Sequence, residues 1–367
     1  MGISGLTSLL KKVSPNSILI KKLYHYTGKR VAIDTSLFMH KFMYSYGNLI
    51  IGFFDQIYHL RRRGIRPIYI FDGKPPVEKS KVLKSRQNAK ARLNTRIGEL
   101  QNKLTELNNQ PIAPMSTLVA EPPSIKEDTN IGTPIIPTVG EQPKPEIPEL
   151  SIEEQKKEIS TKLKKLSRHV IKLTKDDFRN IRQLFNLLNV PYYDAEGEAD
   201  TLCVNLTKNK LADACMTEDM DFLTHGCLHL IRDFNRRCNV VTEYNLPTIL
   251  KDLNITHNQF VDICILCGCD YTCKIRGLGP VGALKLIREH NNIETIIEKL
   301  CGENKRYKLP DNFNYQNART LFNSSNNIMN YKLFHTKEVK LTELRDFLMK
   351  HTKLTSKQIN NRFKKIF

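Results

Sequence analysis

Two acidic pairs hold the clearest chemical potential in this chain: Glu198-Ala199-Asp200 and Asp219-Met220-Asp221, each divided by one small or apolar residue. In extended backbone, residues i and i+2 face the same side, so residues 212–216 are predicted to form a buried strand that delivers Asp219 and Asp221 from the loop just past its end. Glu198 and Asp200 instead open a helix predicted over 198–208, after Gly197, where both side chains reach past the helix end. Four carboxylates at the rim of one sheet repel one another unless a divalent cation neutralises them, and hard oxygen ligands suit Mg²⁺ or Mn²⁺. Either pair taken alone has a plainer account, in which Asp219 caps a helix and the others are solvated.

More acids at strand ends favour the metal reading. Arg30-Val31-Ala32-Ile33-Asp34 is apolar from its second residue until Asp34, and residues 67–72 repeat the pattern with Asp72 last. Such runs predict buried parallel strands, and in open α/β sheets the site lies at their carboxyl ends, so Asp34 and Asp72 are expected to come together. Thr256-x-x-Gln259 predicts a capped helix ending at Gly268-Cys269-Asp270-Tyr271, which brings a seventh acid, Asp270.

Beside these acids the chain turns basic. After Gly73-Lys74-Pro75-Pro76, residues 77–107 are predicted helical and carry Lys79, Lys84, Arg86, Lys90, Arg92 and Arg96, with Lys79 and Arg86 on one face. Most charge runs are solvated helix faces; this one leaves the sheet next to an acidic rim. Residues 275–283 read as a glycine hairpin between two helices, in which Gly277 and Gly279 let backbone N–H groups approach a phosphate and Pro280 opens the second helix; a plain helix-helix turn is the simpler alternative.

Other elements supply the frame. Leu6, Leu9 and Leu10 mark an amphipathic start over 1–13, a helix is expected over 48–63, and Ser151-x-x-Glu154 is a capping box opening a basic helix through 168. Thr174 caps a helix whose core stripe is Phe178, Ile181, Leu184, Phe185 and Leu188, and short strands are expected at 228–231 and 240–241. Residues 108–150 hold nine of the 17 prolines and read as a disordered or extended insertion.

Composition narrows the partner. With 40% hydrophobic and 8% aromatic residues in 367, the chain is a globular protein, and 57 Lys and Arg against 38 Asp and Glu give a net charge of +19. That excess favours a polyanion, with nucleic acid ahead of a membrane surface, because no run of about 18 apolar residues is present and the basic residues are spread along the chain. Leu6 stands where a myristoylation signal needs Ser or Thr, and Lys11, Lys12, Ser14 and Pro15 interrupt any secretory signal, so an intracellular protein is expected. Of nine cysteines, Cys264, Cys267, Cys269 and Cys273 cluster, but no second Cys or His pair stands at zinc-finger distance; buried free thiols are expected.

Taken in order, residues 1–6, 31–34, 71–76, 198–200, 217–221 and 268–271 with 277–280 resemble the motifs of flap endonucleases, the structure-specific 5′ nucleases of the XPG-like family. The resemblance covers nearly the whole chain except 108–150. It implies an α/β, PIN-like nuclease core with a central, mainly parallel sheet, a helical arch and a helix-two-turn-helix module. It implies two Mg²⁺ ions, for which Mn²⁺ can substitute, held by Asp34, Asp72 and Glu198 mainly at the first and Asp200, Asp219, Asp221 and Asp270 mainly at the second, with K⁺ at the glycine hairpin. Lys79 and Arg86 match the basic arch residues acting on the scissile phosphate, and Gly2, His40, Lys74, Lys84, Gly277 and Gly279 fall at DNA-contacting positions. The implied organisation is 1–107 nuclease region with the first arch helix, 108–150 insertion, 151–255 second arch helix and internal nuclease region, 256–350 helix-two-turn-helix region and 351–367 basic tail. The implied activity is cutting of 5′ flaps with 5′ to 3′ exonuclease action on flapped, nicked or gapped DNA, by a monomer, in the nucleus or at a cytoplasmic viral replication site. His40-Lys41 and Asp200 lean instead toward the exonuclease 1 branch, where His40 either stacks on a base or is a buried structural residue, and a junction resolvase or a non-catalytic branched-DNA binder are the other readings. Gln358-Ile359-Asn360-Asn361-Arg362-Phe363 carries no clear sliding-clamp motif.

Overall fold

The computed structural model describes residues 3–109, 151–167, 169–170, 172–303, 307–324 and 339–367, so the proline-rich stretch from 110 to 150 and Gly2 lie outside the described residues. The chain divides into two compact units, 1–87 with 171–367, and 88–170.

The first unit opens with α1 (Leu6–Val13), β1 (Ile18–Lys22), β2 (Arg30–Asp34), α2 (Thr35–Tyr46), α3 (Leu49–Arg61) and β3 (Arg66–Phe71), and then starts α4 (Ser80–Asn109). The second unit contains the rest of α4 and α5 (Ile152–Ser167), where Leu107 and Ile159 are buried and Ser151 and Glu154 form the expected capping box. The chain then re-enters the first unit through α6 (Lys175–Leu187), β4 (Tyr192–Asp194), α7 (Ala199–Lys208), β5 (Ala214–Met216), α8 (Asp221–Thr224), β6 (His229–Asn235) and β7 (Val240–Asn245). It ends in helices α9 (Leu246–Leu253), α10 (His257–Cys267), α11 (Pro280–His290), α12 (Ile293–Glu303), α13 (Tyr315–Phe322), α14 (Leu341–His351) and α15 (Ser356–Phe363).

Among the described residues one seven-stranded sheet forms, in the order β1-β7-β6-β5-β2-β3-β4. The strands from β6 to β4 are parallel; β7 alone runs against them, pairing antiparallel with both β6 and the edge strand β1. The sheet is thus the mainly parallel one expected. Its central strands are apolar between their ends because both faces are covered. Alternate residues serve opposite cores: Ala32, Ile68, Ile70 and Cys215 pack with α1, α7, α9, α10 and α11, whereas Val31, Ile33, Tyr69, Phe71 and Met216 pack with α2, α3, α6, α14 and α15. Tyr69 and Phe185 stack at 4.4 Å, with Phe53 edge-on to both.

Three local readings need amending. Strands β1 and β4 carry no alternating pattern long enough to announce themselves, and both are recruited by pairing with β7 and β3. The segment 351–367 is more than a basic tail, since it folds as α15 with Ile359 and Phe363 buried, and Arg362 bonds Asp55 at 2.7 Å. Of the four clustered cysteines expected to be buried free thiols, all are free, but only Cys264 and Cys267, on α10, are buried; Cys269 and Cys273 are partly exposed.

Candidate active site

Parallel strands β2, β3 and β5 end on the same side of the sheet, and that shared edge positions the acids. Asp34 closes β2 and caps α2: Oδ1 accepts from the Leu37 N–H at 3.1 Å and Oδ2 from the Thr217 hydroxyl at 3.2 Å, Thr217 lying one residue past β5. On the next strand, Asp72 accepts from the Ala199 N–H at 2.8 Å, so it also caps the start of α7. The two loops are clamped by backbone bonds from Gly73 N–H to Gly197 O at 2.7 Å and from Lys74 N–H to Glu196 O at 3.1 Å. Only glycine fits at 73, where a Cβ would stand 2.0 Å from the Ala195 carbonyl oxygen.

That clamp brings in the second pair. Glu198 is the residue before α7 and Asp200 lies in its first turn. Glu198 Oε2 accepts from the Tyr271 hydroxyl at 2.6 Å, while Oε1 pairs with Lys79. Lys79 Nζ is also 3.3 Å from Asp270 Oδ2, and Arg86 Nη2 is 2.8 Å from the same oxygen. Asp219 Oδ1 accepts from the Asp221 N–H at 3.1 Å, but the N-cap of α8 is Met220 with no side-chain cap, so the plainer reading of Asp219 as a helix cap does not hold. Asp221 is 5% exposed, and its Oδ1 is buried with no hydrogen-bond partner.

The carboxylates sense one another. Burial, then the charge of Asp72 and more weakly that of Asp219, push Asp34 up to about 7. Burial raises Asp200 well above the carboxylate range, with Asp34, Asp219, Glu198 and Asp72 adding to it. Asp221 is raised by burial, then by Asp219 and Asp270, with Lys79 opposing. Burial works against the Lys79 ammonium, yet Glu198, Asp200 and Asp270 outweigh it and hold the group above its ordinary range. All seven predicted acids therefore belong to one electrostatic cluster. Among the described residues, however, no three His, Cys, Asp or Glu side chains stand close enough to enclose a single ion as they are. A divalent site here requires the carboxylates to close in, which their mutual repulsion opposes until a cation neutralises it.

The DNA-contact candidates differ in what the structure shows of them. Lys74, Lys84 and His40 are exposed, and exposure rules out the buried structural role for His40. Gly277 adopts φ +85° and Gly279 precedes α11, whose first residue is Pro280. Gly5, with φ +74°, packs against that proline: a Cβ on it would meet Pro280 Cγ at 3.0 Å. Sequence reasoning passed over Tyr271 and Thr217, although both flank predicted acids and carry hydroxyls able to hold them. It also quoted Gly73 within a motif without seeing the close loop approach it permits.

Residues 1–93 match the XPG N-terminal domain and residues 189–270 the XPG I-region. Flap endonuclease 1 of Plasmodium knowlesi is 31% identical over 399 residues, covering 98% of this chain and 57% of that protein. Flap endonuclease 1 of Glycine max is 33% identical over 340 residues, covering 88% of this chain and 74% of that one. The chain spans about half the length of the Plasmodium knowlesi, vivax and falciparum relatives it matches. Among solved structures, the catalytic core of Rad2 in complex with DNA substrate superposes with a TM-score of 0.69 at 18% identity over 100% of both chains. Flap endonuclease-1 from Methanococcus jannaschii gives 0.60 at 20% identity over 95% of each. Shared sequence over 88% of this chain and 74% of a plant relative, two family domains in order and a common fold agree, and this chain belongs to the XPG family of flap endonucleases.

Proposed function

We propose that this chain is a Mg²⁺-dependent, structure-specific nuclease that cuts 5′ flaps and removes nucleotides 5′ to 3′ from DNA ends during replication and repair. The observation that carries the reading is the single cluster of seven carboxylates at the sheet's carboxyl edge, edged by Lys79 and Arg86. The residues fit divalent cations: the donors are all hard oxygens, the like charges are crowded, and Asp221 Oδ1 is left without a partner.

Asp34, Asp72 and Glu198 would hold a first Mg²⁺, and Asp200, Asp219, Asp221 and Asp270 a second. Divalent cations supply a hydrolytic nucleophile at neutral pH and neutralise charge on the phosphodiester. Lys79 and Arg86, now paired with Glu198 and Asp270, are positioned to exchange those partners for the scissile phosphate and to stabilise its charge. The hairpin at Gly277 and Gly279 turns backbone N–H groups and the start of α11 toward the duplex backbone, with K⁺ as the matching monovalent ion. Parts of α4 and α5 would serve as the arch that selects a free 5′ end. Binding through phosphates by a chain of charge +19 is independent of sequence and weakens steeply with salt.

The exposed His40 beside Lys41 favours a second reading, an exonuclease 1-like enzyme in which the imidazole stacks on a base. Cleavage of a 5′ flap, a nicked duplex and a four-way junction, each with and without Mg²⁺, tests both. Preference for the flap supports the first reading, preference for the nick the second and for the four-way junction a resolvase. Tight binding of all three without any cutting would leave a branched-DNA binder.

A further inference from the structure

The amino ends of the parallel strands hold a second concave surface, on the edge of the sheet opposite the acids. β2 begins at Arg30 and β3 at Arg66, and the register pairs these two arginines directly. With Arg61 at the end of α3 and Pro191 just before β4, they line a cavity of about 780 Å³. Asp34 lies four residues along β2 from Arg30, about 13 Å at the usual strand rise, so the cavity is separate from the acid cluster.

Its charge is one-sided: three guanidinium groups line it and no carboxylate does. Like charges set side by side on neighbouring strands repel, so folding gains nothing from pairing Arg30 with Arg66. Arg61 is fixed, its two terminal nitrogens donating to Leu188 O at 2.6 Å and Asn189 O at 2.7 Å. Arg30 Nη2 donates to Lys210 O at 2.7 Å, and Arg66 is exposed and makes no hydrogen bond or ion pair among the described residues. Asp213, whose charge reaches Arg30, stands outside the lining, where it accepts from the Arg30 N–H at 2.8 Å and pairs with Lys29 at 3.2 Å.

The remaining lining is largely apolar. Ile65 and Ile68 are buried, and Phe367 is 50% exposed with the Arg61 guanidinium 6.0 Å from the centre of its ring. Adjacent guanidinium forks match the oxygens and double charge of a phosphate monoester, and a half-open aromatic ring offers a flat base a surface to stack on. The volume lies within the range of sites that enclose one small molecule.

We infer that this cavity binds a nucleoside 5′-monophosphate, with the phosphate on Arg30 and Arg66 and the base against Phe367. The lining carries the inference, and it rests on the nuclease reading only for the source of the ligand. In that reading water attacks phosphorus, the bond to the 3′ oxygen breaks and that oxygen takes up a proton, so a 5′-phosphorylated end releases this compound.

The test is equilibrium dialysis of the full chain, in chelator, against deoxyadenosine 5′-monophosphate, inorganic phosphate and deoxyadenosine in turn. The nucleotide is expected to bind one site, with phosphate and nucleoside each at least about tenfold weaker. Arg66→Ala should weaken the nucleotide about tenfold or more, as loss of a charge-assisted hydrogen bond does. Phe367→Ala should weaken it by about tenfold through lost stacking, with phosphate binding unchanged. A saturating 5′-flap duplex should not displace it. No nucleotide binding, equal affinity for inorganic phosphate, displacement by the duplex, or full affinity in Arg66→Ala overturns the inference. If Arg66→Ala melts abnormally, full affinity in Phe367→Ala overturns it instead. A chain that binds no flap would lose the nuclease reading, yet an Arg66-dependent nucleotide site would still stand.

Discussion

The Tyr271 hydroxyl donates to Glu198 Oε2 across 2.6 Å, while Lys79 occupies the other carboxylate oxygen. The tyrosine is 8% exposed, and its ring rests 5.0 Å from that of Phe322 on α13, so the donor is held by packing. A fixed donor orients Glu198 before any ion or substrate arrives. Tyr271→Phe keeps the ring and removes the bond. It is expected to weaken Mn²⁺ binding about tenfold, in the range for losing a hydrogen bond to a charged group. Calorimetric titration checks this, and an unchanged affinity would remove Tyr271 from the site's support.

Lys79 and Arg86 converge on Asp270 Oδ2, at 3.3 and 2.8 Å, so each must leave an acid to reach a phosphate. Loss of a preorganised charge aimed at the transition state lowers kcat by roughly 10²–10³-fold. That is the expectation for Lys79→Ala, with Kd for a flap substrate moving far less; single-turnover rates measured beside direct binding separate the two. Arg86, on the more exposed side, is expected to show a smaller drop of the same kind. A loss confined to affinity would reduce both to phosphate anchors.

Glu243, 2% exposed, ties the antiparallel edge of the sheet together, accepting from Tyr26, from Lys21 at 2.8 Å and from His229 at 3.1 Å. Burial alone would raise its carboxyl, but the bonds from His229, Lys21 and Tyr26 outweigh it and hold the group down at about 2, against an ordinary 4.5. A carboxyl depressed in the folded state stabilises the fold above its unfolded value and loses that contribution as pH falls toward the folded one. Glu243→Gln should therefore lower stability at pH 7 by on the order of 2–3 kcal/mol, with the deficit shrinking as pH drops below about 4.5. Urea unfolding of both proteins at pH 7 and pH 3.5 decides it; a deficit equal at both values would assign the effect to packing.

Much of this was legible before any coordinates. Asp34 and Asp72 could be placed because each ends an apolar run, and the acid pairs because two-residue spacing has a geometric meaning in strands and helix starts. Capping residues at Ser151, Thr174 and Thr256 announced helix starts, as the structure shows for α5, α6 and α10. What stayed hidden depends on partners distant in sequence. Strand β1 exists because β7 offers it an edge, and the role of Tyr271 appears only when α7 is folded against it. The cavity at Arg30 and Arg66 is likewise invisible, since residues 61–68, 189–191 and 366–367 are joined by no pattern other than the fold.

Gly73 offers the sharpest test of how the acids are assembled. The chain turns after β3, and the 73–74 backbone bonds to 196–197, at 2.7 and 3.1 Å, hold Asp72 against the start of α7, where Glu198 and Asp200 begin. A methyl group at residue 73 would meet Ala195 O at 2.0 Å and Glu196 O at 2.6 Å; both are backbone atoms, so no side-chain rotation relieves the clash. The two loops must separate, which breaks the bonds and moves Asp72 away from the second pair. Gly73→Ala is therefore expected to lose Mn²⁺ binding and cleavage together, while Gly98→Ala, with open space about its Cβ position, leaves Mn²⁺ affinity where it was. Stability should also fall, by about 1–3 kcal/mol, as forced overpacking generally produces. If Gly73→Ala binds Mn²⁺ as tightly as the unmodified chain, the acids do not depend on this clamp, and the account of how β3 and α7 deliver them fails.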